Sequence, residues 1–337
     1  MNSPKTKLIV LALFCLLLVL LTPFGGMSFI SPASIFPLGS PDSEVFWWMR
    51  LPRTAASFLS GAGLALGGLV FQAMFRNPLA TPFTLGVSSG AALGAATYFW
   101  LGAGAVSGSI MGSFGSMGAA LCGGLLSMCL VYTITRARGG FSTPVMLLAG
   151  VIISFFFSSL VMFIQYLSAS NDSLRITHWL MGSLTGLDLP RLPDLAFVIL
   201  AGGLIIWRMA PELDLLLAGE ELAASRGVDV RRTKISLFAI SSLMVGGIVS
   251  IAGPIGFVGM IIPHLCRLWL GPAHGSSHRW LIPACFFSGG CFLTLCDLLA
   301  RSLIAPAELP IGIITALAGG PFFLWVLFHT GKRGELF

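Results

Sequence analysis

Few residues in this chain could do chemistry, and their spacing restricts what that chemistry is. Asp297 is the ionisable side chain that stands out within an apolar run. Arg301 follows four residues later, on the same face of a helix. A charge at mid-bilayer costs roughly 2.5–3.5 kcal/mol on insertion scales. The pair therefore reads either as a proton or ion relay or as a structural ion pair near an outer mouth. No chain of further acids joins Asp297, which favours the structural pair. Five histidines (His178, His264, His274, His278 and His329) are scattered, and only His274 and His278 share helical spacing, in a polar loop. They read as loop residues, not as a metal site. Seven cysteines (Cys15, Cys122, Cys129, Cys266, Cys285, Cys291 and Cys296) contain no CxxC pair and fall in or beside apolar runs. They read as buried thiols, with no disulfide framework, no zinc site and no cofactor. A GxxxxGK[ST] phosphate loop is missing, since Gly331-Lys332 lacks both the upstream glycine and the following Ser/Thr. If ATP drives this protein, another chain hydrolyses it, and no enzyme activity is expected here.

The elements that must hold these residues are membrane helices. Apolar residues make up 56% of the 337, charged residues only 9%, and mean hydropathy is +0.93. Soluble domains carry about 25% charge, so a soluble enzyme is excluded. The apolar runs are continuous, which excludes the alternating pattern of a membrane β-barrel. At roughly 20 residues per span, the apolar content supplies about nine or ten spans. The runs are Leu8–Phe24, Thr54–Phe75, Phe83–Leu101, Ser109–Thr135, Pro144–Ser168, Asp194–Ala210, Ile235–Ala252, Ile255–Leu270, Leu281–Ala300 and Ile311–Thr330. The eighth is short and broken by Pro263. A basic start followed by Leu8 to Leu21 resembles a signal peptide, but no small-x-small cleavage site follows, so it is kept as the first span. The expected fold class is all-α and polytopic, with about ten transmembrane helices in one transmembrane domain over residues 1–337.

Net charge is +6. The basic residues sit in short loops, where they set topology, so nucleic acid is not an expected partner. With the N-terminus inside, 14 of the 19 Lys and Arg fall on inside segments; Arg50, Arg53, Arg175, Arg191 and Arg301 fall outside. Both termini are then cytoplasmic. Small-xxx-small spacing recurs at Gly61, Gly63, Gly67 and Gly68, and at Gly86, Gly90 and Gly94, and reads as close helix packing. Gln72 to Gly90 and Gly253 to Gly271 both interrupt apolar sequence with Pro and Gly, which hints at an internal repeat. The fifth span is rich in Ser and Phe. Its Ser154, Phe155, Ser158 and Gln165 are candidates to line a pore; the alternative is packed or lipid-facing aromatics.

One inside loop, Pro211 to Lys234, carries helix signals of its own. Leu215, Leu216, Leu222 and Ala223 give an apolar face over a helix of about 213–227. Glu220 and Glu221 sit early and Arg226 late, as the helix dipole favours. Gly227 is a plausible stop. The helix is too short to span a membrane, and two Glu on its polar face favour a protein partner over a lipid surface.

A set of short motifs now accumulates. Arg50-Leu51-Pro52-Arg53 opens span two, and Gln72 precedes Arg76-Asn77-Pro78-Leu79-Ala80 and Gly86-Val87-Ser88-Ser89-Gly90. Gly219-Glu220 and Gly227-Val228 bracket the cytoplasmic helix. Gly253 to Gly259 (GPIGFVG) leads into Ile262-Pro263-His264, Glu308-Leu309-Pro310-Ile311-Gly312 opens span ten, and Gly320-Pro321-Phe322-Phe323 lies within it. Together, from about residue 45 to residue 330, the chain resembles the FecCD-type family of permease subunits of bacterial ABC importers for iron siderophores, haem and cobalamin. The resemblance implies a ten-helix subunit of the inner membrane that forms a homodimer or pairs with a paralogous permease, with two cytoplasmic ATPase subunits and a periplasmic or lipid-anchored binding protein. It implies that Gly219, Glu220, Glu221, Leu222, Arg226 and Gly227 form the helix that couples to the ATPase. It also implies that Arg50, Arg53 and Arg301 face outward and receive acidic residues of the binding protein. The chain departs from the family pattern at Arg226 and Ala218, where apolar side chains, often Leu at the latter, precede the two glycines. Two other functions compete: an ion-coupled secondary transporter, which needs several intramembrane acids, and a membrane enzyme, which needs a His/Asp/Glu cluster on adjacent spans.

Overall fold

The structure is a computed structural model and describes residues 3–26, 28–36, 40–101, 110–137, 143–185, 192–272 and 274–330. Arg191, Gly331 and Lys332, named above, lie outside these, as do Arg138 and Arg333 of the inside segments and Ser109 at the expected start of span four.

Helix α1 (Pro4–Leu21) starts where Ser3 accepts the Thr6 N–H and Pro4 occupies the first turn. A one-turn helix, α2 (Pro41–Glu44), is capped by Ser40 and carries Asp42 and Glu44 at its positive end. It runs through a π-helical stretch, Val45–Arg50, into α3 (Leu51–Phe75). The continuous apolar helix is thus Pro41–Phe75, longer than the expected Thr54–Phe75, and it carries Arg50 and Arg53 within it. Then follow α4 (Val87–Leu101), α5 (Ile110–Ala137), α6 (Thr143–Leu167) and α7 (Ser170–Leu180). Helices α8 (Leu192–Arg208), α9 (Ala210–Ala218) and α10 (Glu220–Ser225) lead to α11 (Val230–Ala252), and α12 (Val258–Leu270), α13 (His278–Ser302) and α14 (Ile311–Thr330) complete the chain. No strand occurs among the described residues.

Each of the ten expected spans corresponds to a helix: α1, α3–α6, α8 and α11–α14. Among the described residues, six helices are long and apolar enough to cross a membrane alone, and α8 with α9, bent by 59°, makes a seventh candidate. Helix α12 is shorter, and it continues through Pro263, where the sequence suggested a break. Helix α7 was not expected. It is too short and polar to read as a span, and it is held by burial of Ile176 against Ala92, Ala96, Val161 and Ile164. Both interrupted stretches contain a non-helical part, 76–86 in the first and 253–257 at the start of the second. Each holds one of the two non-glycine residues with left-handed backbone among the described residues, Arg76 (φ 51°) and Phe257 (φ 68°).

The helices pack as two compact units, each assembled from separated stretches: Met1–Leu69, Leu184–Asp214 and Gly256–Phe337 in one, Val70–Ser183 and Leu215–Ile255 in the other. No single cut in the chain separates them. In the first unit α13 is flanked by α1, α8, α12 and α14. There α3 meets α13 backbone to backbone, since a Cβ on Gly61 would land on the Gly289 carbonyl. In the second, α4 lies against α5, α6 and α7, and Gly90 and Gly123 meet in the same way. Lipid gives helices no hydrophobic drive to associate, so such close approach is what gains dispersion contacts.

Candidate functional site

Two groups of side chains stand at opposite ends of α13. At its C-terminal end lies an arginine cluster. Asp297, fully buried, accepts from Arg53 Nε through Oδ1 at 2.9 Å, and its Oδ2 lies 3.0 Å from Arg301 Nε. Arg53 Nη1 also donates to Glu308 Oε2 at 2.8 Å. Arg50 donates to the carbonyls of Pro23, Phe24 and Gly25 at 3.3 Å each and of Ser28 at 2.8 Å. Arg301 Nη1 reaches the same Gly25 carbonyl at 3.4 Å. The cause is local: a helix leaves its last carbonyls unpaired, and the guanidinium of Arg50 supplies several donors to the chain leaving α1.

All three expected arginines therefore converge. Their exposure differs from the expectation: Arg50 is 9% and Arg301 4% exposed, so neither presents a free outward charge. Arg53 and Glu308 are the members with side chains partly open, at 15% and 28%. Asp297 is the centre of a network rather than half of a local pair. Both its oxygens face guanidiniums, which leaves a proton relay without a free carboxylate.

At the N-terminal end of α13 lies Asp214, which belongs to the segment expected to couple to an ATPase. The expected single helix over 213–227 is two, α9 and α10, broken at Gly219. Gly219 has φ 142° and ψ 147°, a conformation open essentially to glycine. Helix α10 begins with Glu220 and Glu221 and ends in a Schellman turn, with Gly227 N–H on the Ala224 carbonyl and Val228 N–H on that of Ala223, each at 3.0 Å. Glu221, Leu222 and Arg226 are exposed. Sequence reading missed two tethers. Lys234, fully buried on α11, holds Glu220 Oε1 at 2.6 Å. Asp214 Oδ1 accepts the backbone N–H of His278 at 2.8 Å and lies 2.6 Å from its Nδ1. His278 is not a loop residue; it is the first residue of α13, and its side chain is wholly buried.

The candidate pore residues on α6 divide. Phe155 and Ser158 are exposed, whereas Ser154 donates to the Gly150 carbonyl at 2.8 Å and Gln165 Nε2 to Thr177 Oγ1 at 3.3 Å. Val151, Ile152, Phe156, Met162, Phe163 and Tyr166 extend the exposed face. A face this apolar is covered by lipid or by other chains. Among the described residues no His/Cys/Asp/Glu group could hold a metal ion. Five cysteines are buried, with Cys15 and Cys291 thiols adjacent at 2.6 Å; Cys122 and Cys129, both on α5, are exposed, contrary to expectation.

Among the described residues, the ten apolar helices, with an ion-pair network at one end of α13 and Asp214 on His278 at the other, make a polytopic helical membrane protein. The chain belongs to the FecCD transport family, whose pattern matches residues 9–329. It is 34% identical to the hemin transport system permease protein HmuU of Yersinia pestis, covering 99% of both chains. It is 38% identical to the vitamin B12 import system permease protein BtuC of Escherichia coli O157:H7, covering 96% of this chain and 95% of that one. The solved structure of a metal-chelate type ABC transporter in an inward-facing conformation superposes with a TM-score of 0.84 at 31% identity, over 96% of this chain and 99% of the other.

Proposed function

We propose that this chain is the membrane-spanning permease subunit of an ATP-binding-cassette importer in a bacterial inner membrane, moving a ferric siderophore, haem or cobalamin into the cytoplasm. The observation that carries this is likeness over nearly the whole length to permeases named for hemin and vitamin B12. ATP hydrolysis belongs to two separate subunits, and a binding protein delivers the substrate. The subunit works as one permease domain, in a homodimer or with a paralogous permease. Both termini are cytoplasmic. In support, Lys7 near the N-terminus bonds the Trp269 carbonyl at the end of α12, the same end of the unit as Asp214 and His278. Helix α10 meets the ATPase through Glu221, Leu222 and Arg226, with Glu220, Gly219 and Gly227 setting its position. Arg53 contacts the binding protein, while Arg50 and Arg301 frame the docking mouth. Phe155 and Ser158 line the pathway, and Ser154 and Gln165 shape the wall behind them.

Proteoliposomes with the chain, its ATPase and its binding protein test this with hemin, cyanocobalamin and a ferric hydroxamate supplied separately. One of the three should accumulate, and only with ATP inside the compartment that holds the ATPase. Uptake by the chain alone, driven by an ion gradient, would overturn the reading in favour of a secondary transporter.

A further inference from the structure

The arginine cluster and Asp214 of α9 are joined by one helix. Helix α13 runs unbroken from His278 to Ser302, about 37 Å at 1.5 Å per residue. Its first residue is gripped by Asp214, and its last turns carry Asp297 and Arg301. The grip is twofold. The Asp214 carboxylate takes the first backbone N–H of α13, one of the donors a helix start leaves unpaired. It also meets the imidazole of the same residue, 2.6 Å away. That imidazole is wholly enclosed, so it cannot swing aside without unpacking. Asp214 itself sits in α9, five residues before the Gly219 break, and no exposed loop separates it from α10.

We infer that the Asp214–His278 clasp is the joint through which displacement of the coupling segment reaches α13, and through α13 the Arg53–Asp297–Arg301 cluster. Asp214 and His278 are positioning residues; neither is placed against the ATPase or the substrate. This rests on the permease reading above and adds to it the path by which one docking face acts on the other. Two features make α13 suited to the role. A clasp on a backbone N–H acts on the helix axis itself, not on a flexible side chain. At the far end, Asp297 joins α13 to Arg53 of α3, so axial movement of α13 must stretch or shift that ion pair.

The test uses the full assembly in nanodiscs and proteoliposomes, with Asp214→Ala and, to guard against misfolding, His278→Gln, which retains the backbone N–H on Asp214. Two readouts separate transmission from mere structure. The first is ATP hydrolysed per molecule of hemin or cyanocobalamin moved, with each probe used separately. The second needs no substrate: hydrogen–deuterium exchange over residues 297–308 with and without vanadate trapping. In the wild type, trapping should change exchange in 297–308. In Asp214→Ala that change should disappear and the ATP cost per transported molecule should rise at least tenfold, while ATPase co-purification and basal hydrolysis stay within twofold. His278→Gln should fall between. Variants with wild-type stoichiometry and a wild-type exchange response would overturn the inference, as would a wild type whose 297–308 segment ignores trapping. A wild-type chain that recruits no ATPase is a different result and overturns the permease reading itself.

Discussion

Asp297 divides its two oxygens between guanidiniums from different helices, and this decides how substitutions in the cluster behave. Removing the acid leaves Arg301 buried without its counter-charge, and breaking a buried pair in this way costs about 3–5 kcal/mol. Asp297→Ala should therefore lower the melting temperature in detergent more than Arg53→Ala, which leaves Asp297 with Arg301 and removes a partly solvated side chain. Arg53→Gln tests docking with less disturbance, since it keeps donors and loses the charge. Exposed ion pairs contribute roughly 0–1 kcal/mol, so the half-maximal binding-protein concentration for ATPase stimulation should rise by no more than about fivefold. The salt dependence should flatten too, because rim charges act mainly on encounter. The i,i+4 spacing made Asp297–Arg301 legible in the sequence. Arg53, 244 residues away from Asp297, was not, because charge type carries no information about which helices touch. Nor do type and position reveal that Arg50 turns inward, away from the rim, because its acceptors are backbone carbonyls, which every residue has.

Among the elements, α10 is where a small change should have the largest functional effect. Ala224→Pro removes an N–H beyond the first turn of α10 and clashes with the carbonyl four residues earlier, costing about 3 kcal/mol locally. Transport in vesicles should be lost while membrane insertion and yield persist; normal transport by this variant would show that α10 does not couple. Packing gives a contrasting outcome. Gly61→Leu places a side chain where α3 and α13 touch through backbone, so folded protein should fall sharply, seen as lost monodispersity on size exclusion. The acidic start and the Gly227 stop of α10 were readable because caps are local chemistry. The break at Gly219 was not, since a glycine within an apolar pattern looks the same whether it is helical or hinged. Helix α7 escaped for a related reason: four buried neighbours hold it, and none of them is adjacent in sequence.

For the whole molecule, hydropathy gave the number of apolar helices because the bilayer imposes one length scale on all of them. It did not give the two discontinuous units, which depend on pairings between distant stretches. The orientation proposed for the subunit has a direct consequence. A green fluorescent protein fused after Phe337 should fluoresce in intact cells, and alkaline phosphatase fused there should be inactive. The opposite pair of signals would reverse every assignment of inside and outside, and with it the roles of the two ends of α13.

The Arg53–Asp297 bond also has a history in time. Arg53 emerges from the ribosome 244 residues ahead of its acid, which at 5–20 residues per second is about 12–50 s. Throughout that interval α3 is already a nascent membrane helix carrying a guanidinium with no carboxylate to meet it. The long aliphatic stem lets such a charge snorkel toward headgroup water while it waits. A place for Arg53 within reach of headgroup water thus suits the order of synthesis as well as the finished fold, and closure of this bond marks the moment when the late-made α13 has taken its place beside α3.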